Sequence, residues 1–429
     1  GDEEAQKQLD QVLADEDLAR RAGPILASLT YRVKDELSPG VGKKLYGESL
    51  GLSVSRLEAF AACPFQHFAA HGLRLRPREE YDLDFRHIGS FLHEAMKLIG
   101  DRLMDLGPSW YEDLDQAVAI VDEICQEQGP RLLQGILSKT SRYRYLHQTL
   151  KRILLRVMEV LAEHARRGRF IPVGLEVDFG PRGSLPPLDL GGVRLRGRID
   201  RIDAAAGPDG YYLRVVDYKS SVDGLSIEEV YYGLELQLLA YLLVALHNAD
   251  RLLGGPARAA GALYFPLKDP FVSVDGPITD EESLGRERRK KLRMEGILLA
   301  DPAALAWMDC KIRGNNSELV PARVNKDGTV GKNKSCLPER RIQLLLAYAE
   351  KRMKVLSGEI AGGRAAVAPY RLRRKTACTY CDYKPLCGFD PLIPGCSFRH
   401  LPQLGDDEAW LRIAEEVGGD VDGAAASRD

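Results

Sequence analysis

The chain has 429 residues, 45% of them hydrophobic and 28% charged, and its 60 Lys and Arg against 62 Asp and Glu leave a formal net charge of -2. That length gives room for two to four domains, or one large domain with insertions, and the balance excludes a histone-like basic protein and an acidic disordered chain. No run approaches the roughly 20 apolar residues that span a bilayer, and GDEEAQKQLDQ lacks the features of a signal peptide, so a cytoplasmic protein without a membrane partner is expected.

The first 22 residues, with seven acids and three bases, read as a polar helix-prone lead, and SPGVGKKLYG around Pro39 and Gly40 reads as a loop. From Ser53 the pattern sharpens. Ser55 and Glu58 are spaced as a capping box ahead of Leu57, Phe60 and Ala61, and Cys63-Pro64 interrupts before a stop at Gly72. Residues 86–105 and about 113–168 carry apolar residues at helical spacing. After Gly168 the period becomes that of strands, over 171–180, 191–203 and 211–221, with the turn AAAGPDG joining the last two as an antiparallel hairpin.

An apolar helix is expected over Ile227 to His247, a strand over 261–267, a charged helix over 281–299 and a further helix over about 338–358. The last 29 residues hold eight acids and two bases and end in GGDVDGAAASRD, which reads as disordered. Residues 1–50 are therefore read as an acidic lead and linker and 51–400 as the main domain, with a helical insertion at about 100–168. Residues 401–429 are read as an acidic, partly disordered tail. The two acidic ends leave a net +8 on residues 23–400. No G-x-x-x-x-G-K-[ST] phosphate-binding loop is present.

Asp217-Tyr218-Lys219 closes an apolar strand, and alternation points Asp217 and Lys219 to the same face. A solvated Asp and Lys pair is the commoner source of a lone D-x-K. Here the preceding strand carries Gly197-Arg198-Ile199-Asp200, and the hairpin brings Asp200 beside Asp217. Such oxygen ligands suit Mg²⁺ or Mn²⁺, and an adjacent lysine can orient the attacking water, so the set points to phosphodiester hydrolysis. Gln237 and Tyr241 follow at i, i+4 spacing, on one face of a helix.

Together G-x-I-D, D-Y-K and Q-x-x-x-Y resemble the motifs of the RecB-type branch of the PD-(D/E)XK nuclease superfamily. The resemblance implies an α/β fold, a mixed central sheet flanked by helices. It adds His93 of IGSFLHE as a metal ligand, and Glu176 of PVGLEVDF as a direct or outer contact to the metal. Gln237 and Tyr241 would orient a phosphate backbone or Lys219.

Near the C-terminus, Cys378, Cys381 and Cys387 form C-x₂-C-x₅-C, and a fourth ligand could come from Cys63, Cys336 or Cys396. Tetrahedral zinc and a 4Fe-4S cluster are both compatible with the thiols. The order SVSRLEAFAACPFQHF, IGSFLHE, GRIDRID, VVDYKSS and CTYCDYKPLC resembles the nuclease domain of the AddB family of bacterial helicase-nuclease components. That resemblance implies a 4Fe-4S cluster on Cys63, Cys378, Cys381 and Cys387, stapling the N- and C-terminal parts together. It also implies an AddA-type helicase-nuclease as partner, single-stranded or unwound DNA ends as substrate, and a role in resecting double-strand breaks. A stand-alone iron-sulfur exonuclease and an inactive DNA-binding module of the same fold are the alternatives.

Arg371, Arg373, Arg374 and Lys375 abut the cysteines and are expected to contact DNA phosphates. The basic run Arg286–Arg293 is read as a solvated helix face.

Overall fold

The structure is a computed structural model that describes residues 2–30, 36–38, 40–46, 50–76, 85–132, 141–222, 224–272, 281–393 and 396–419. The acidic lead forms helices α1 (Asp2–Ala14) and α2 (Glu16–Thr30), followed by α3 (Val41–Tyr46) and the short strand β1 (Leu50–Leu52). Helix α4 (Val54–Ala62) then runs into the single turn α5 (Pro64–His67). Cys63 stands between them with an extended backbone (φ -160°), because Pro64 cannot continue the hydrogen-bond ladder but fits the first turn of a new helix.

Helices α6 (Phe85–Asp105), α7 (Leu114–Leu132) and α8 (Ser141–Arg167) form a layer in which α7 packs against both neighbours. Phe91, Ala95, Ile99 and Leu103 recur every fourth residue on α6 and enter the core with Val121, Ile124, Leu150, Leu154 and Val157. The single helix expected over 113–168 is two helices, and residues 133–140 lie outside the described ones.

Next come β2 (Ile171–Phe179), β3 (Leu188–Asp189), β4 (Val193–Leu195), β5 (Gly197–Gly207) and β6 (Gly210–Lys219). Helices α9 (Ile227–Tyr232), α10 (Gln237–His247) and α11 (Ala249–Leu253) lead to β7 (Ala257–Pro266). Then follow α12 (Glu281–Lys291), β8 (Glu295–Leu299), α13 (Pro302–Met308), β9 (Cys336–Leu337) and α14 (Glu339–Ala361). The cysteine segment holds β10 (Tyr370–Leu372), β11 (Lys375–Thr376), α15 (Lys384–Cys387) and β12 (Arg399–His400), and α16 (Asp406–Val417) closes the described chain.

The main sheet has the strand order β2-β5-β6-β7-β8-β9. Strands β2, β5 and β6 are antiparallel neighbours, β6 and β7 are parallel, β7 and β8 antiparallel, and β8 and β9 parallel. The α/β class with a mixed sheet between helices is therefore as expected. Helix α10 lies against β6 and β7, because Leu238, Leu239, Leu242, Val244 and Ala245 are all buried.

Other expected elements differ too, and the stretch read as a loop around Pro39 and Gly40 holds α3. The helix over 227–247 breaks at Gly233, whose φ of +77° is the left-handed conformation that ends a helix, so Gln237 becomes the first residue of α10. The charged helix over 281–299 stops at Lys291, and Gly296-Ile-Leu-Leu pairs with β7 as a buried strand. In the tail, Asp406–Val417 forms a helix on α14 and α9 with Trp410 and Ile413 buried, whereas residues 420–429 lie outside the described ones.

The register places Arg201 opposite Val216 and Asp203 opposite Arg214, so Arg201, Asp203, Arg214 and Tyr218 share one face of the sheet. Asp203 is fully buried and accepts from Arg201 Nε at 2.6 Å and from Arg214 Nε at 2.9 Å. Burial opposes its charge, but the two guanidiniums outweigh burial and hold the carboxyl below its ordinary range. Asp203 thus belongs to the buried frame beneath the site on the opposite face.

Candidate active site

The hairpin places Asp200 and Asp217 at the same end of β5 and β6, one step beyond the Arg201 to Val216 pair. The backbone N–H of Tyr218 donates to Asp200 Oδ2 at 2.8 Å, which ties the two acidic positions together. On the other side of β5, β2 pairs Leu175 with Arg201 and Val177 with Ile199, leaving Glu176 facing Asp200. Glu176 has a φ of +47°, a left-handed conformation inside a strand that costs on the order of 1–3 kcal/mol and is found at functional sites.

His93 comes from α6, with Nδ1 3.3 Å from Asp200 Oδ2 and 3.7 Å from Glu176 Oε1. Ligand atoms of His93, Glu176 and Asp200 lie within 4.8 Å of one another. Burial works against a charge on His93, yet the neighbouring carboxylates of Asp200 and Glu176 overcome it and push its pKa up to about 10. Glu176 Oε1 is buried and accepts no hydrogen bond from the described residues. An orphaned carboxylate oxygen beside a second carboxylate and an imidazole fits a hard divalent cation such as Mg²⁺ or Mn²⁺.

Asp217 falls outside that tight trio. Its Oδ2 is 2.7 Å from Lys219 Nζ and its Oδ1 accepts from Gln237 Nε2 at 3.1 Å. Burial first, and the nearby Asp200 second, push the Asp217 pKa up to about 6, against the pull of Lys219. Gln237 bonds three groups: its Oε1 accepts from Lys219 Nζ at 2.9 Å, and its Nε2 donates to Asp217 and to the Tyr241 hydroxyl at 2.9 Å. Tyr241, one turn later, is 8% exposed, and its ring packs edge-on against Phe179.

Glu58 is a further residue at this site. Its spacing from Ser55 suggested a capping box, but α4 begins after Ser53 and has no side-chain cap. The carboxylate turns instead to another helix, where Glu58 Oε1 accepts from the backbone N–H of Leu236 at 2.7 Å and of Gln237 at 2.9 Å. Its only signal in the sequence is a charged residue within an apolar helical stretch.

The cysteine segment folds back on α4 and α5. Cys63 is buried with Phe65 and Ala69 in a small cluster of its own, against Phe68, Val367, Ala377, Tyr383 and Cys387. Burial raises the Cys378 thiol pKa, and the neighbouring Cys63, Cys381 and Cys387 raise it further, so the four sulfurs share one electrostatic neighbourhood. Among the described residues, no three of these sulfurs come within 4.8 Å of one another. Cys336 is elsewhere, buried in β9 with its Sγ 3.8 Å from the Pro321 carbonyl.

The basic run beside the cysteines is partly occupied. Arg373 Nη2 is 3.0 Å from the buried Glu228, Lys375 Nζ is 2.5 Å from Glu229, and the Arg371 guanidinium lies 4.1 Å over the Phe398 ring. Arg374 makes no ion pair among the described residues. Three of the four thus dock the cysteine segment onto α9 and its own strands. On α12, Arg286 and Arg289 converge with Arg167 on Glu318.

Residues 51–388 match the family model of the PD-(D/E)XK nuclease superfamily. Among curated proteins, the chain is 43% identical to the B subunit of the ATP-dependent helicase/deoxyribonuclease of Moorella thermoacetica, over 91% of this chain and 34% of that protein. It is 41% identical to the subunit of the same name from Pelotomaculum thermopropionicum, over 89% of this chain and 33% of that one. For the Bacillus anthracis protein of that name the identity is 38%, over 94% of this chain and 35% of that one. The chain spans about a third of the length of these relatives. No helix among the described residues is long and apolar enough to cross a membrane.

Proposed function

The chain belongs to the PD-(D/E)XK nuclease superfamily, and on that premise we propose that it is a Mg²⁺-dependent deoxyribonuclease, the nuclease portion of an AddB-type component of a helicase-nuclease. The observation that carries the proposal is the convergence of His93, Glu176 and Asp200 within 4.8 Å, beside an Asp217 to Lys219 ion pair of 2.7 Å. His93, Glu176 and Asp200 would hold the metal, and Asp217, which feels the charge of Asp200, would complete the set from the next strand. When bound, Mg²⁺ supplies Lewis-acid polarisation of the scissile phosphate and lowers the pKa of the attacking water.

The chain's own residues supply the rest. Lys219 presents its ammonium to the attacking water and to charge developing on the phosphate. Asp217 and Gln237 fix that ammonium by an ion pair of 2.7 Å and a hydrogen bond of 2.9 Å. Tyr241 accepts from Gln237 Nε2, while the donor-only ammonium of Lys219 and the acceptor-only carboxylate of Asp217 set which way the amide faces. Proton donors held in place before reaction need no reorganisation in the transition state.

We read Cys63, Cys378, Cys381 and Cys387 as the thiolates of a structural 4Fe-4S cluster. What supports the reading is that Cys63, from the junction of α4 and α5, shares one electrostatic neighbourhood with the three thiols of the C-terminal segment. Single-stranded or unwound DNA ends are the proposed substrate, an AddA-type helicase-nuclease the proposed partner, and resection of double-strand breaks the proposed setting. Arg371 and Arg374, with Arg373 and Lys375 at their α9 contacts, are the proposed phosphate contacts.

The test is cleavage of end-labelled single-stranded and duplex DNA by the purified protein, with Mg²⁺ or with a chelator. Shortening of the labelled DNA in Mg²⁺ alone supports the proposal; intact DNA in the presence of both the protein and its helicase partner overturns it.

A further inference from the structure

Helix α10 starts at Gln237 after Leu236, a residue whose side chain cannot cap a helix. The first backbone N–H groups of any helix lack partners within it, and its positive end favours an anion. Here the cap is supplied by Glu58, 178 positions earlier in the chain, whose one oxygen accepts from both Leu236 and Gln237. Glu58 makes no ion pair with a Lys or Arg among the described residues. A half-buried carboxylate is costly, and the two backbone bonds, with the more distant charge of Lys219, are what hold it in this place.

The residue that receives the cap is also the one that grips the catalytic lysine. Gln237 spends its amide on Lys219, Asp217 and Tyr241, and only one orientation of that amide points oxygen at the ammonium and nitrogen at the carboxylate. A shift of the Gln237 backbone breaks all three contacts together. Glu58 in turn sits on α4, whose Leu57, Phe60 and Ala61 are buried and which ends at Cys63, five residues on.

We infer that Glu58 is a positioning residue for the nuclease centre: it anchors the first turn of α10 so that Gln237 holds Lys219 against Asp217, linking the catalytic lysine to the helix that leads into Cys63. The inference rests on the nuclease reading for its kinetic consequence and on the geometry alone for its structural one.

Amide hydrogen exchange and a double-mutant cycle on the purified protein test it. In Glu58→Ala, exchange at Leu236 and Gln237 is expected to accelerate at least about tenfold while the β5 and β6 amides keep wild-type protection. With saturating DNA, kcat is expected to fall about tenfold to a hundredfold with KM within about twofold, the scale of a small misplacement of a catalytic group. Glu58→Ala added to Gln237→Ala is expected to cost nothing further, because one acts through the other.

Glu58→Gln keeps an oxygen acceptor and is expected to restore most of the rate; it also serves if the alanine variant does not fold. Unchanged exchange at Leu236 and Gln237, or rate losses that multiply in the double variant, would overturn the inference. A wild-type protein that cleaves no DNA would overturn the nuclease reading instead, and the exchange result would still decide the role of Glu58.

Discussion

Lys219 and Gln237 are joined by a hydrogen bond of 2.9 Å between the ammonium and the amide oxygen, across the gap between the end of β6 and the start of α10. Without it Lys219 keeps its ion pair to Asp217 but loses the second fixed point that sets its direction. Gln237→Ala is therefore expected to lower kcat by about tenfold to a hundredfold with little change in KM, measured by single-turnover and steady-state cleavage. A KM effect with unchanged kcat would place Gln237 in DNA binding alone.

The Arg201, Asp203 and Arg214 triad predicts a stability effect without a catalytic origin. Asp203 and Arg214 are 0% and 2% exposed, so Asp203→Asn leaves two buried guanidiniums without their anion. Removing one partner of a buried ionic group typically destabilises by about 3–5 kcal/mol. Chemical denaturation is expected to show a loss of that size, and a loss under about 1 kcal/mol would mean that the triad is hydrated or rearranges.

Glu235 predicts a pH dependence of stability. Burial pushes its pKa from 4.5 up to about 7, despite the N–H of Ser226 and the hydroxyl of Tyr264, both of which bond to it. A carboxyl whose folded pKa is raised binds its proton more tightly in the folded protein. Its contribution is thus full below about pH 4.5 and is lost as pH rises through 7. Glu235→Gln is expected to match the wild type near pH 4.5 and to become the more stable of the two by about pH 8, by at most about 3 kcal/mol. Thermal melts over that range check this, and a difference that does not vary with pH would contradict it.

Cys63 is buried at the junction of α4 and α5, next to the later cysteines. Cys63→Ser is expected to remove iron and the broad visible absorption of thiolate-bound iron, and to lower the melting temperature, because a link between residues 63 and 378 closes a very long loop. Metal analysis finding stoichiometric zinc and no iron in the wild type would contradict the cluster.

The central hairpin was readable because G-x-I-D, a glycine-rich turn and D-x-K follow one another within about twenty residues, and local alternation sets which side chains share a face. His93 carried a signal only through its motif, since nothing local sets a histidine that meets two carboxylates apart from any other on an amphipathic helix. The contacts of Glu58 were unreadable because its partners lie 178 and 179 positions away, and the capping-box spacing pointed to a local role that α4 does not use. Strand β8 was hidden because the charged helix before it runs to Lys291 with no proline between them, and the glycine of its EGILL carries the strand, not a turn. Gly233 stood in the sequence inside an apolar run, and only its left-handed φ shows that the run is two helices.

The acidic tail is likewise more than its composition suggests. Trp410 and Ile413 are buried on the core, and the Leu404 N–H donates to Glu228 at 2.7 Å, so removing residues 401–429 is expected to destabilise the fold where an acidic disordered tail would be dispensable. Equal melting temperatures for the full and shortened chains would contradict this.

Whether the site around Asp200, Asp217 and Lys219 cleaves DNA is decided by Asp217→Ala in a single-turnover assay on end-labelled single-stranded DNA with Mg²⁺. The expected rate is at least about a thousandfold below wild type, with DNA binding retained, because both the negative charge beside the proposed metal site and the anchor of Lys219 are lost. Cleavage by Asp217→Ala at the wild-type rate would contradict the assignment of this site.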